Sequence, residues 1–135
     1  MGTHVIVKER AGGQFTQDVF ARDHRLLADE PENLGSADLG PTPYEYVLAG
    51  LGSCTTITLR MYAERKKWPV THIQCDVSFK KSGFEGNVNI FIRDITIEGD
   101  IDEKQRARML QIADKCPVHN MLEGTSEFRT NLVRS

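Results

Sequence analysis

The sequence predicts an α+β fold, on three observations. Residues 43–67 read as one long helix that carries no charge through fourteen consecutive positions, 46–59. Strand-length stretches lie on both sides of it, and turn residues join neighbouring stretches into antiparallel hairpins. The resulting order, β-β-β-α-β-β-α-β, is that of a sheet-and-helix domain in which the two kinds of element are segregated. The chain of 135 residues suits one domain, here expected to span residues 1–135, and is too short for two.

Residues 4–8 are rich in strand formers, Ala11-Gly12-Gly13 supplies turn chemistry, and Phe15, Val19 and Phe20 sit among polar residues of a second strand. A third extended piece, residues 24–28, ends at Asp29-Glu30-Pro31, and a turn-rich surface loop follows to Pro43. The helix opens with Thr42 as cap, Pro43 in the first turn and Glu45 three residues after Thr42, a capping-box spacing. Glu45 at its start and Arg65, Lys66 and Lys67 at its end complement the helix dipole. A surface helix needs a polar stripe, and this one has none over residues 46–59, so it is expected to be covered nearly all round. Gly50 and Gly52 each cost it about 1 kcal/mol relative to alanine, which points to close approach by another backbone or a ligand.

Residues 70–79 alternate as a strand with Ile73, Cys75, Val77 and Phe79 on one face. Residues 88–97 form the next strand, in which Val88, Ile90 and Ile92 share one parity and Ile95 and Ile97 the other; that change of phase reads as a bulge at Arg93-Asp94 or as burial of both faces in turn. Asp102 caps a second helix to about Lys115, with Met109, Leu110 and Ala113 inward, Ile112 beside them, and Lys104, Arg106 and Arg108 outward. Cys116-Pro117 ends it and opens a short turn, and residues 126–133 read as a last strand. Seven short elements are too few to cover an all-round apolar helix, so a second copy of the chain is expected to complete the cover as an obligate homodimer.

Composition removes several function classes. Seventeen Lys and Arg against nineteen Asp and Glu leave a net charge of −2, without the basic surplus of a nucleic-acid binder. No apolar run approaches the ~18 residues of a membrane span, and the first residues lack the basic-then-apolar layout of a signal peptide. A cytoplasmic location is the expectation. Three cysteines, Cys54, Cys75 and Cys116, are too few and odd in number for a disulfide framework, so each is buried, metal-binding or reactive. Cys75 alternates with core residues and reads as packing. Cys54 lies among Gly52, Ser53, Thr55 and Thr56, small residues that leave space around a sulfur, and reads either as a buried thiol or as a reactive one. Cys116 stands at a helix cap between Lys115 and His119, where a thiolate is favoured, or merely packs there. Cys116, His119 and Cys54 make three metal ligands where a structural zinc site takes four, so no metal is expected, and no phosphate-cradling loop or catalytic triad calls for a cofactor.

Taken together, Gly40-Pro41-Thr42-Pro43-Tyr44-Glu45-Tyr46-Val47-Leu48-Ala49-Gly50-Leu51-Gly52-Ser53-Cys54, continued by Thr58-Leu59-Arg60-Met61-Tyr62-Ala63, resembles the first central helix of the OsmC/Ohr superfamily, the osmotically induced protein C and organic hydroperoxide resistance proteins. Asp114-Lys115-Cys116-Pro117-Val118-His119 resembles its second cysteine motif, and Ala28-Asp29-Glu30-Pro31 and Asp102-Glu103-Lys104-Gln105-Arg106 are similar to its broad OsmC-like branch. The resemblance covers nearly the whole chain. It implies an intertwined homodimer whose antiparallel sheets wrap two central helices per subunit, with two thiols close together at the interface. The chemistry it implies is a thiol peroxidase, with Cys54 attacking an organic hydroperoxide and Cys116 resolving the sulfenic acid, in defence against oxidative stress. Electrons then come from a dithiol reductant, by analogy a lipoyl protein. The family also implies a glutamate early in the helix and an arginine from the N-terminal strands. The glutamate position is Tyr44 here with Glu45 one step along, and the arginine is Arg10 or Arg22. The alternative is a non-catalytic, stress-related or small-ligand-binding OsmC-like protein.

Overall fold

The computed structural model describes residues 2–134. The chain forms two compact units, one up to Leu48 and one from Ala49 onward. The fold is α+β, as the hairpin-helix order requires, with two antiparallel sheets and three α-helices.

In the first unit β1 (Ile6–Glu9), β2 (Gln17–Ala21) and β3 (His24–Ala28) pair in the order β1-β2-β3, with Val7 opposite Val19 and Val19 opposite Leu26. Its polar anchor is Asp29, 1% exposed. The carboxylate accepts hydrogen bonds from the Thr16 hydroxyl (2.9 Å), the Leu39 amide (3.1 Å), the Glu30 amide (2.8 Å) and the Ser36 hydroxyl. One buried side chain thus ties the turn-rich loop to the sheet. These donors, led by Ser36 and opposed by burial, hold Asp29 at about 2 instead of 3.8. The predicted capping box is present: the Thr42 amide donates to Glu45 Oε1 (2.8 Å) and the Glu45 amide to Thr42 Oγ1 (3.2 Å).

That cap opens α1 (Pro43–Lys66), which continues through the second unit. It ends because Lys67 turns left-handed (φ 58°), letting the Trp68 amide reach the Ala63 carbonyl and the Lys67 amide the Glu64 carbonyl. A stripe of Leu51, Gly52, Thr55, Leu59, Tyr62 and Ala63 is buried, whereas Ile57 (53% exposed) and Met61 (65%) are open. Burial all round, expected from the missing polar stripe, is therefore not found within one chain; its uncharged outer side is uncovered.

β4 (Val70–Ser82) and β5 (Val88–Gly99) form a long hairpin in the second unit. Ile73, Cys75, Val77 and Phe79 alternate as predicted with exposed neighbours. The bulge expected at Arg93-Asp94 is absent: Val77 pairs with Arg93 and Asp76 with Asp94 in unbroken register, and the one irregularity lies between Val70 and His72. Regular pairing keeps Phe91, Arg93, Ile95 and Ile97 on one face, so the phase change in the sequence marks an arginine standing where the pattern calls for an apolar residue.

α2 (Glu103–Ala113) starts from Asp102, whose carboxylate and Gln105 form a reciprocal capping box. Met109, Ile112 and Ala113 join Leu59, Tyr62, Ala63 and Val70 in the core. Leu110, expected inward, is 64% exposed, because Met109, Ile112 and Ala113 already fill the stripe facing α1. Arg106, expected outward, bends back to donate to the Ile97 carbonyl (2.6 Å), satisfying the end of β5. α3 (Pro117–Glu123) extends the predicted short turn into a helix with Pro117 in its first turn. The strand expected over residues 126–133 is not formed: no regular element follows Gly124 among the described residues. Phe128 and Leu132 are exposed there, for alternation makes a strand only when a sheet edge accepts it.

Candidate functional site

The geometry of the second unit brings two of the three cysteines together. Cys54 rides on α1 and Cys116 is the N-cap of α3, where extended backbone (ψ 128°) turns its sulfur back onto its own helix to accept the His119 amide at 3.4 Å. The two thiols are each other's side-chain hydrogen-bonding partners. Cys116 is fully buried and Cys54 partly so. Cys75, half-buried, faces Ile95 across the hairpin, and burial pushes its thiol up.

The pair divides its proton unequally. Burial opposes ionisation of Cys116, yet hydrogen bonds from Cys54, the His119 amide, Thr55 and Val118 outweigh it, and its thiol titrates below the ordinary value. Burial, followed by the bond to Cys116, pushes Cys54 above its ordinary value in spite of contacts with Val118 and Thr58. The two thiols thus titrate as one system, in which Cys116 is the more readily ionised and Cys54 the less.

The cation beside this pair is one that sequence reasoning missed. Arg93 projects from β5 with a side chain 12% exposed. One terminal nitrogen donates to Thr55 Oγ1 and the Ala113 carbonyl, both at 3.0 Å; the other donates to Asp114 Oδ1 (3.0 Å) and His119 Nδ1 (2.7 Å). A guanidinium only donates, so Nδ1 accepts and the imidazole proton sits on Nε2, facing Glu123 Oε2 at 3.4 Å. The signal in the sequence was the lone charged residue in phase with Phe91, Ile95 and Ile97. Gly52 permits the arrangement: a Cβ there would lie 3.0 Å from Val77 Cγ2, so glycine lets α1 settle on β4 beside the Val77–Arg93 pair. The same region holds a cavity of about 240 Å³ lined by Leu51, Asn89, Phe91, Arg93, His119, Leu122 and Glu123.

The remaining expected residues lie in the first unit. Arg10 donates to Asp18 Oδ1 at 2.6 Å, Arg22 is exposed at the left-handed position (φ 56°) of the β2–β3 turn, and Glu45 completes the cap of α1. Lys115 is exposed. Among the described residues no group of three or more His, Cys, Asp or Glu could hold a metal ion, and no helix is long and apolar enough to cross a membrane.

Comparison with solved structures agrees with this fold. An OsmC-like protein from Mycoplasma pneumoniae superposes with a TM-score of 0.76 at 16% identity, over 92% of this chain and 89% of its own. An organic hydroperoxide resistance protein from Elizabethkingia anophelis gives 0.68 at 16% identity, over 92% and 89%. A protein of that name from Legionella pneumophila gives 0.60 at 18%, over 92% and 90%. No curated protein matches the sequence significantly. The OsmC-like protein family matches residues 35–131, a span that takes in α1, the β4–β5 hairpin, α2, α3 and both paired cysteines. The chain belongs to the OsmC-like protein family.

Proposed function

We propose that this protein is a thiol-dependent peroxidase that reduces organic hydroperoxides, with Cys54 and Cys116 as its redox pair. The observation that carries the reading is the pairing of the two thiols, with Cys116 shifted toward ionisation and Cys54 away from it. Relatives in fold that are named organic hydroperoxide resistance proteins support it. Cys54, the less buried sulfur, passes its proton to Cys116 and attacks the outer peroxide oxygen; the O–O bond breaks and an alkoxide leaves. The alkoxide takes the proton from Cys116, giving the alcohol. Cys116, again a thiolate, attacks the Cys54 sulfenic acid, forming the disulfide and releasing hydroxide. A dithiol such as a lipoyl protein restores the reduced pair by exchange. The cavity, at about 240 Å³, suits a small alkyl group.

In this reading residues 1–135 act as one OsmC-like domain in a cytoplasmic homodimer, the second copy covering the uncharged side of α1. Glu45, Arg10 and Arg22 are proposed to assist Cys54, and Glu45→Gln, Arg10→Lys and Arg22→Lys each measure that share. The central test is consumption of cumene hydroperoxide by the purified protein with dihydrolipoamide, repeated with Cys54→Ser. Turnover lost in the variant is expected; equal rates reject the assignment. The upward shift of Cys54 favours a second reading, a non-catalytic ligand-binding protein. Intact mass after one equivalent of peroxide separates the two: the peroxidase loses two hydrogens per chain, whereas a binding protein keeps its mass.

A further inference from the structure

We infer that Arg93 is a positioning residue for the dithiol, fixing the Ala113–His119 turn so that the Cys116 sulfur is presented to Cys54. The inference rests on the peroxidase reading for its consequence and on four hydrogen bonds for its substance. Those bonds use all four terminal N–H groups of the guanidinium, leaving none at the fork for a ligand. Each partner bears on a sulfur. Thr55 is the neighbour of Cys54 on α1. Ala113 is the last residue of α2, and Asp114 begins the link to Cys116. His119, gripped at Nδ1, supplies through its own backbone the amide that Cys116 Sγ accepts. One planar fork therefore joins the helix carrying one thiol to the turn carrying the other.

The grip is rigid at its root. Arg93 lies mid-strand in unbroken pairing with Val77, and its side chain is largely buried, so the fork is held by the sheet and not by a loop. A lysine keeps the charge but has a single nitrogen, which cannot serve the Ala113 carbonyl and His119 Nδ1 in the planar arrangement seen here. The step most sensitive to this grip is disulfide closure. There the Cys116 thiolate attacks the sulfur of the Cys54 sulfenic acid, the S–S bond forms as the S–O bond breaks, and hydroxide leaves to become water. The organic hydroperoxide has already served as oxidant in forming the sulfenic acid.

The test compares the native protein with Arg93→Met, Arg93→Lys and His119→Asn, each verified as folded by circular dichroism. After one equivalent of cumene hydroperoxide, the reaction is quenched at intervals with dimedone and read by intact mass. Native protein is expected to pass to disulfide with little trapped adduct. Both Arg93 variants accumulate the adduct on Cys54 and close about tenfold to a hundredfold more slowly, the range a small misplacement of reacting atoms produces. His119→Asn retains an acceptor near the place of Nδ1 and is expected to close faster than either, a rescue that loss of general stability does not explain. Closure in Arg93→Met and Arg93→Lys at the native rate overturns the inference. Oxidation with diamide, an azo compound reduced to its hydrazine as the disulfide forms, runs in parallel and needs no peroxide. Native protein inert to peroxide but faster than the Arg93 variants with diamide rejects the peroxidase reading and upholds the positioning role; equal rates with diamide reject the positioning role.

Discussion

The two glycines of α1 offer a sharp test of how the dithiol helix is seated. In a helix interior each glycine costs about 1 kcal/mol relative to alanine. At Gly50 a Cβ meets nothing within 4 Å, so Gly50→Ala should recover that amount in the monomeric chain. At Gly52 the new carbon falls 3.0 Å from Val77 Cγ2, closer than the roughly 3.5–4.0 Å at which carbons pack. Overpacking of this kind costs about 1–3 kcal/mol, so Gly52→Ala should be between neutral and about 2 kcal/mol destabilising. The two alanines then differ by about 1–3 kcal/mol although the local chemistry is identical. Urea unfolding at unchanged slope measures each. Removing the obstructing methyls closes the cycle: in Gly52→Ala with Val77→Ala the double variant should be more stable than the sum of the singles, by about 1 kcal/mol or more. Equal stability of the two single alanines, or strict additivity with Val77→Ala, refutes the close seating of α1 on β4.

Cys54→Ala removes the thiol that donates to Cys116, so the Cys116 thiol should move up toward the ordinary 9.0; the pH dependence of its alkylation by iodoacetamide reads the midpoint, and an unmoved midpoint contradicts the shared proton. Asp29 is depressed on folding, so its carboxylate favours the native state above 3.8, and that contribution is lost as pH falls toward about 2. Asp29→Asn should lower stability at neutral pH and flatten the acid limb of the thermal unfolding curve; an unaltered limb assigns acid sensitivity to another group. On the open side of α1, Ile57→Glu places a charge where the homodimer reading needs apolar cover. Sedimentation should show a dimer for the native chain and a monomer for the variant, and a native monomer rejects that reading.

What was legible in the sequence was what short-range chemistry decides. Thr42 with Glu45, and Asp102 at the head of α2, declare helix starts because a cap needs only its own next three residues. Ile73, Cys75, Val77 and Phe79 declare a strand face because the pleat repeats every second residue. The failures all needed a distant partner. Arg93 stands on an inward parity that only an apolar residue fills by default, and its counterparts, Thr55, Ala113, Asp114 and His119, lie 20 to 38 residues away. Residues 126–133 have strand alternation without a paired edge in the chain. Of the candidate site, Cys54 and Cys116 were readable as a pair only through resemblance, since 62 residues separate them and no periodicity links α1 to α3.

The opposite shifts of the two thiols bear on how the arginine that grips the neighbouring turn is partnered. Two sulfurs within hydrogen-bonding reach and largely out of water cannot both ionise cheaply, so they titrate as one system with a retained proton. An unpartnered cation beside them would draw that proton out and leave two repelling thiolates. Arg93 is instead fully engaged by Thr55, Ala113, Asp114 and His119, with the Asp114 carboxylate offsetting its charge. It orders the turn, while the downward shift of Cys116 comes against burial from its own hydrogen bonds, Cys54 first and the His119 amide next. In the peroxidase reading proposed above, the thiol that would take the Cys54 proton is also the one that would close the disulfide. On that reading, keeping charge placement apart from charge supply would let one buried turn serve both steps.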